Sequence, residues 1–583
     1  MTVTVERALH ATGLLAVFNA AGVLTLADVH IAQRVAVLGG ETDENVHLAI
    51  ALTVRALRMG SVCVELATAR STTAADEGVD VSTLPWPSPE AWHDACARSP
   101  VVGVPGRPLR LVNGLLYLDR YWREEELVRR QLQSRAAAPP LPVSLPALEN
   151  DLDRLFESGA GKQRLAAAVC ALRRVTVLAG GPGTGKTTTI ARMLAVLCAQ
   201  SSAPPRIALA APTGKAAARL EEAVRSVTGL GLPPLEASTL HRLLGRRPGS
   251  RTRFKHHRAH RLPYDVVVVD ETSMVSLTMT ARLIEAVRPD ARLILVGDPD
   301  QLASVEAGAV LGDIVAADGC PEPALAAALE SLGSPADVVN GVVTLDRTWR
   351  FGGDIARLAT AVRAGDADAV VSLLRSGSSQ VEFVESADCP ELRAEVLAAL
   401  AQVASAAAAG DAPAALKALE AHRLLCAHRH GPYGVARWTN EIEQWLPADH
   451  PADLRPLLIT ANDYDNHLYN GDTGVVIQTP QGLRAAFARG GETVLIPPSR
   501  LSEAQPLYAM TVHRSQGSQF DRVSLVLPPA TSPLLTRELF YTAVTRAQSG
   551  LRIVGSEDAV RAAVTRPIAR ASGLRESLGV PAV

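Results

Sequence analysis

Residues 180–187 read Gly-Gly-Pro-Gly-Thr-Gly-Lys-Thr, the G-x4-G-K-S/T spacing of a phosphate-binding loop. Glycines at this spacing let successive backbone N–H groups close around an anion. A helix opening at Lys186 adds the positive end of its dipole. Gly181, Pro182, Gly183, Thr184 and Gly185 then form a cradle, with Lys186 reaching the β- and γ-phosphates of ATP and Thr187 ligating Mg²⁺ beside Thr188. Asp270 and Glu271 follow four consecutive valines. A carboxylate at the end of a buried strand is placed to hold the metal, and its neighbour to polarise the attacking water. Gln301, in Gly-Asp-Pro-Asp-Gln at 297–301, can sense a γ-phosphate without titrating. Arg350, in Thr-Trp-Arg at 348–350, and Arg546, at the end of Tyr-Thr-Ala-Val-Thr-Arg at 541–546, are a different case. A lone arginine is usually a surface ion-pair partner. In a two-lobed motor both are candidate arginine fingers supplied across the cleft.

These residues need strands and helices to hold them. Continuous apolar runs at 175–178, 207–210, 266–269 and 293–296 lack the alternation of a half-exposed strand. They predict strands covered on both faces, as in parallel α/β sheets. A second α/β region begins near Val342, with strand-like runs at 424–426, 523–526 and 552–554. Between its parts, short alternating runs and the turn Asn470, Gly471, Asp472 predict a small β-barrel over 455–505. Residues 1–135 read as a mostly helical domain, and the prolines of 136–150 as a linker.

Composition sets outer limits. The chain has 583 residues and a net charge of −2, enough for several domains and too neutral for a protein basic throughout. Any nucleic-acid contact must come from local basic patches or neutral hydrogen-bond donors. Seven cysteines, none in a C-x-x-C pair, argue against a zinc ribbon, an iron–sulfur cluster or a disulfide framework. With no signal peptide and no apolar run of membrane-spanning length, the expected location is cytoplasmic.

Taken in order, the motifs resemble the superfamily 1 helicases, in particular their RecD-like branch. Residues 180–187 look like motif I, 211–217 like Ia, 238–241 like Ib, 270–274 like II, 297–302 like III, 348–350 like IV, 511–517 like V and 541–546 like VI. The resemblance implies two RecA-like P-loop lobes: 151–340, carrying a basic hairpin insert at 244–264, and 341–454 with 506–583, interrupted by an SH3-like barrel at 455–505. It implies that Gln163 reads adenine and Trp349 stacks near it. It further implies that Thr213, Lys215, His241, Thr511, His513 and Ser515 touch DNA. The hairpin, with Arg247, Arg251, Arg253, Lys255 and Arg258, is expected to meet DNA at the motor's entry. The resemblance also implies ATP-driven strand movement, 5′→3′, in a RecBCD-type helicase–nuclease with RecB-like and RecC-like partners acting at double-strand ends in recombinational repair. The N-terminal domain would then dock on a partner, and the cutting would belong to another subunit, since no unexplained carboxylate–lysine cluster is found here. A stand-alone helicase of this branch and a nucleotide-dependent switch remain alternatives. The single-chain relatives carry a longer N-terminal extension, which favours the subunit reading.

Overall fold

The computed structural model describes residues 7–578 apart from 74–79, 104, 158–159, 248, 251–252, 348–352, 386–389, 448–450, 452, 464, 490–491 and 502. The expected Trp349 and Arg350, and Arg251 of the basic insert, lie outside the described residues.

The N-terminal region is mostly helical, as expected. Its helices Gly13–Ala20, Leu26–Gly39, Glu44–Arg58 and Pro89–Arg98 enclose a core that includes Phe18, Leu48, Ile50 and Trp92. The ends of Leu26–Gly39 are written locally. Thr25 and Asp28 form a reciprocal capping box, and Gly40 closes the helix in the left-handed region. A three-stranded antiparallel sheet, unread in the sequence, joins these helices. It comprises β1 (Cys63–Glu65), β2 (Leu109–Val112) and β3 (Leu115–Leu118), in the order β1-β3-β2. The helix Asp119–Ala136 then leads to the proline-rich stretch. The last residues of the expected linker are helical, because Pro146 falls in the first turn of Leu145–Leu155, where a missing N–H costs nothing.

Lobe 1 is a six-stranded, all-parallel sheet of β4 (Val175–Gly180), β5 (Ile207–Ala211), β6 (Ala237–Thr239), β7 (Val266–Val269), β8 (Arg292–Gly297) and β9 (Val342–Leu345). The order is β6-β5-β7-β8-β4-β9. Every residue of β4 and of β7 is buried, which explains their unbroken apolar pattern. Because β7, β8 and β4 are neighbours, the loops leaving their carboxyl ends emerge side by side. Those loops carry Asp270, Asp298 and the glycine-rich turn, the usual placement of a site in an open α/β sheet.

Lobe 2 is a parallel sheet ordered β10-β19-β18-β11-β17. Its strands are β10 (Val381–Val384), β11 (His422–Cys426), β17 (Ala509–Thr511), β18 (Phe520–Val526) and β19 (Ala547–Val554). Between β11 and β17 run β12 (Pro456–Ile459), β13 (Thr473–Thr479), β14 (Gly482–Arg489), β15 (Glu492–Ile496) and β16 (Ala504–Pro506). These pair antiparallel in the order β15-β14-β13-β12-β16. The two edge strands do not pair among the described residues. Closure into the expected barrel is not seen among the described residues, and alternation alone could not distinguish an open sheet from a closed one. The basic insert is held by isolated bridges, Arg246 with Phe254 and His257 with His260. Phe254 is buried beneath it, while Arg247, Arg253, Lys255 and Arg258 are exposed.

The chain end departs from the expected lobe 2 assignment. Residues 570–578 lie across the junction of lobe 1 and the N-terminal region. Val62 N–H donates to Ala571 O at 2.8 Å, Ala571 N–H to Ser61 Oγ at 3.1 Å and Ser572 Oγ to Glu125 Oε2 at 3.0 Å. Leu574 and Leu578 are buried in a core shared with Val62, Val128 and Ile314. Among the described residues no helix is long and apolar enough to cross a membrane.

Candidate nucleotide site between the lobes

The glycine-rich loop turns tightly because Gly183 (φ 77°) and Gly185 (φ 82°) take left-handed backbone that a side chain would strain. Gly185 caps the helix Lys186–Ala199, so free N–H groups open toward the loop. Thr184 is buried, and its Oγ1 donates to Gly181 O at 2.9 Å. Lys186 Nζ donates to Gly180 O at 2.6 Å and Gly181 O at 2.9 Å. The ammonium thus rests on the carbonyls of its own loop, which a phosphate would outcompete. Thr187 is half-buried at the start of the helix and Thr188 is exposed. Gln163 Nε2 donates to Thr184 O at 3.3 Å, which ties the residue expected to read the base to the phosphate loop itself.

Asp270 ends β7. Its Oδ1 accepts the N–H of Glu271 at 2.8 Å, and burial together with the Glu271 charge pushes its carboxyl above the usual range, against the pull of Lys186. Glu271 has φ 51°, a strained conformation for a residue with a side chain. Among the described site residues other than glycine, it is the one with left-handed backbone. Asp298 and Gln301 follow β8, and both are buried. Burial raises the Asp298 carboxyl, with Lys186 and a hydrogen bond from Gln301 opposing it.

Lobe 2 closes over this face. Arg546, 3% exposed, follows the helix Arg537–Val544 and donates Nε to Thr542 O at 3.0 Å and Nη1 to Ser518 O at 3.1 Å. Burial lowers its proton affinity, while the charges of Glu271 and Asp298 across the interface favour the cation. The Tyr541 hydroxyl lies against the loop, where a Cβ built on Gly181 would stand 2.9 Å from it and 4.0 Å from Asp298 Oδ2. Gln516 Nε2 donates to Leu302 O at 2.6 Å, and Leu302 N–H donates to Thr542 Oγ1 at 2.9 Å. Arg219 of lobe 1 reaches Gly517 O. Asp298, Gln516, Tyr541 and Thr542 all lie inside the quoted motifs, yet the motif pattern alone did not mark them as contacts between the lobes.

The residues expected on DNA fall into two groups. Thr213 and Thr511 each cap a helix through Oγ1, accepting from Ala216 N at 3.2 Å and Arg514 N at 3.4 Å. Their hydroxyls remain half-exposed. Lys215 is pushed down to about 7 by burial and by Arg219, and the insert's Tyr469 sits against the adjacent Gly214, 2.7 Å from where a Cβ would be. Burial also lowers His513, while His241 is exposed beside Phe254. Ser515 is fully buried and donates to Val512 O at 2.7 Å. It props the turn and is not presented to a strand.

Comparison with known proteins agrees along the chain. The model of the RecBCD enzyme subunit RecD N-terminal domain matches residues 20–117, an AAA domain model matches 163–307 and a UvrD-like helicase C-terminal domain model matches 506–554. The RecBCD enzyme subunit RecD of Mycolicibacterium smegmatis is 51% identical over 576 residues, covering 96% of this chain and 98% of that one. Its Mycobacterium tuberculosis H37Rv counterpart is 49% identical over 593 residues, covering 98% of each. The ATP-dependent RecD2 DNA helicase of Deinococcus radiodurans is 32% identical over 467 residues, covering 78% of this chain and 57% of that one. With identity near one half over almost the full length of both chains, this protein belongs to the RecD subunit family of the RecBCD enzymes.

Proposed function

We propose that this chain is the ATP-driven DNA helicase subunit of a RecBCD-type helicase–nuclease, moving 5′→3′ from double-strand ends in recombinational repair. It works in the cytoplasm with RecB-like and RecC-like partners, and strand cutting belongs to another subunit. The observation that carries this reading is the meeting of a phosphate loop and a carboxylate pair in lobe 1 with Arg546 and Tyr541 of lobe 2. A nucleotide bound there is touched by both lobes, so its hydrolysis is coupled to their separation.

The residues fit ATP with Mg²⁺. Gly181 to Gly185 would cradle the phosphates, Lys186 would exchange its two carbonyls for phosphate oxygens, and Gln163 would read the base. Thr187 and Asp270 would hold the metal, which supplies charge neutralisation at the phosphates. Glu271 would take the proton of the attacking water, and Gln301 and Arg546 would face the terminal phosphate. Thr213, Lys215, His241, Thr511 and His513 would line the strand's path. The sheet of β12 to β16 is read as the SH3-like insert, whose Tyr469 meets lobe 1 at Gly214.

The test is ATP hydrolysis with and without single-stranded DNA, for wild type and Lys186→Ala, on the chain alone and with RecB-like and RecC-like partners. Stimulation that is lost in Lys186→Ala and requires the partners supports the subunit reading. Full activity alone supports a stand-alone helicase. No stimulation in either setting sinks the motor reading and leaves a nucleotide switch. Unwinding of duplexes with 5′ or 3′ tails fixes the direction.

A further inference from the structure

Residues 566–578 run from lobe 2 to lobe 1 and the N-terminal region, and both ends of the stretch are tied down. On the lobe 2 side, Arg566 donates Nη1 to Ser532 O at 2.8 Å and Nη2 to Ala530 O at 2.9 Å, and its carbonyl accepts the Arg537 N–H at 2.8 Å. Ile568 N–H then donates to Glu538 Oε2 at 2.8 Å. On the other side, Arg570 Nη1 donates to Glu306 O and Gly308 O, each at 3.4 Å, just ahead of the helix Val310–Ala316. Its guanidinium crosses Gly60, where a Cβ would stand 2.8 Å from Cζ. Ala571 N–H donates to Ser61 Oγ at 3.1 Å, and its carbonyl accepts the Val62 N–H at 2.8 Å. Leu574 is fully buried, and Arg575 donates Nε to Ala316 O at 3.1 Å. Arg282 of lobe 1 pairs with Glu124 at 2.8 Å, so lobe 1 and the N-terminal region hold this end as one surface.

The crossing between the anchors is short. Three residues separate the Ile568 nitrogen from the Ala571 nitrogen. An extended chain of that length spans at most about 11 Å, so the two points stay within that distance while both anchors hold. Wide separation of the lobes is then open only to edges away from this crossing. The lobe 2 anchor also sits at a telling place. Glu538 is in the first turn of the helix Arg537–Val544, and Arg546 follows the last turn. Eight residues of helix rise about 12 Å. Rotation about the tethered end therefore swings the far end, and Arg546 leaves and re-enters the nucleotide face while Glu538 stays beside lobe 1.

We propose that residues 566–574 form a strap that keeps the opening of the lobes small and makes its lobe 2 anchor the pivot about which Arg546 swings. The strap takes part in no chemistry. It acts on the population of the closed state: a longer strap gives the open state more room, so closing on a nucleotide is opposed by more chain entropy.

The proposal rests on the reading of the interlobe face as the ATP site of a motor, and its test keeps the two apart. The full chain carries one dye on Cys320, exposed on lobe 1, and another on Lys417→Cys, exposed on lobe 2. Energy transfer reports the distance between the lobes with and without a non-hydrolysable ATP analogue and Mg²⁺, and a titration gives the Kd of the analogue. Two variants lengthen the strap. Glu538→Ala moves the last lobe 2 anchor back to Arg566, which leaves five residues with a reach of about 18 Å. Insertion of Gly-Ser-Gly-Ser between Ala569 and Arg570 keeps every anchor and adds four residues. In both, the distance without nucleotide should lengthen and the distance with the analogue should match wild type. The Kd should rise with strap length, roughly twofold in Glu538→Ala and roughly three- to fourfold in the insertion. Wild-type distances and Kd in the insertion variant overturn the proposal. A changed distance with the analogue bound makes the strap part of the closed interface and also overturns it. Should the insertion fold poorly, Glu538→Ala decides by the same criteria. A wild-type distance that the analogue leaves unchanged overturns both readings. DNA-stimulated ATP hydrolysis by wild type tests the motor alone: turnover with distances indifferent to strap length sinks only this proposal, and no turnover sinks the motor and leaves the strap to be judged by the distances.

Discussion

Leu302 gives its backbone to the opposite lobe: its N–H donates to Thr542 Oγ1 at 2.9 Å, and its carbonyl accepts from Gln516 at 2.6 Å. Main-chain groups cannot be repositioned by a rotamer change, so this grip registers the two lobes closely. Gln516→Ala and Thr542→Val should each lower the DNA-stimulated ATPase rate about three- to tenfold, in line with the removal of one buried hydrogen bond. The two effects should fall short of additive, because both variants loosen one residue. A DNA titration of ATP hydrolysis checks this, and unchanged stimulation in the double variant would show that the grip is passive.

Among the described residues, the hydrogen bonds of the Lys186 side chain go to two carbonyls of its own loop. Lys186→Ala should therefore abolish ATP hydrolysis, by at least about a hundredfold, while the melting temperature stays within a few degrees of wild type. A large drop in thermal stability would mean that the lysine is structural as well.

Glu271 holds left-handed backbone at φ 51°. Glu271→Gly should remove that strain and raise stability by up to about 1 kcal/mol, while eliminating turnover. Glu271→Gln should lose turnover without the gain. Denaturant unfolding beside ATPase assays separates the two, and a destabilised Glu271→Gly would refute the idea of strain stored at the site.

The chain end supplies a pH dependence. Burial pushes the Glu125 carboxyl up to about 7 and the Asp313 carboxyl up to about 6 where Ser572 packs between them. A folded-state pKa above the ordinary carboxylate value means that the folded form favours the proton. This stabilisation is complete below the ordinary range and is lost as pH rises through about 7. Glu125→Gln should flatten that decline and make the protein more stable than wild type at pH 8, by on the order of 3 kcal/mol at most. Thermal melts from pH 5 to 8 test it, and parallel curves for the two proteins would contradict it.

The basic insert leaves Arg253, Lys255 and Arg258 exposed beside the buried Phe254. If these cations meet phosphates, replacing all three with glutamine should reduce the slope of log affinity against log salt. The reduction should be roughly 0.7 for each phosphate of a single strand that is no longer neutralised. An identical slope in the variant would make the insert a solvated loop.

The phosphate loop, Asp270, Glu271 and both α/β lobes were legible in the sequence because their signals are local. Glycine spacing fixes a turn, and a doubly buried strand must be apolar along its whole length, as β4 and β7 are. The motif order likewise placed Arg546 in the second lobe. Closure of the small sheet was not legible, since alternation records which face of a strand is buried and not whether the edge strands meet. Nor was the burial of Ser515, which has the same composition signal as a hydroxyl offered to DNA. The return of residues 570–578 to the N-terminal region and the grip on Leu302 join positions hundreds of residues apart, or lobes that only packing brings together. A one-dimensional pattern specifies which residues want burial or a partner. Which partner each one finds depends on how whole elements pack, and that was settled only when the chain folded into three dimensions.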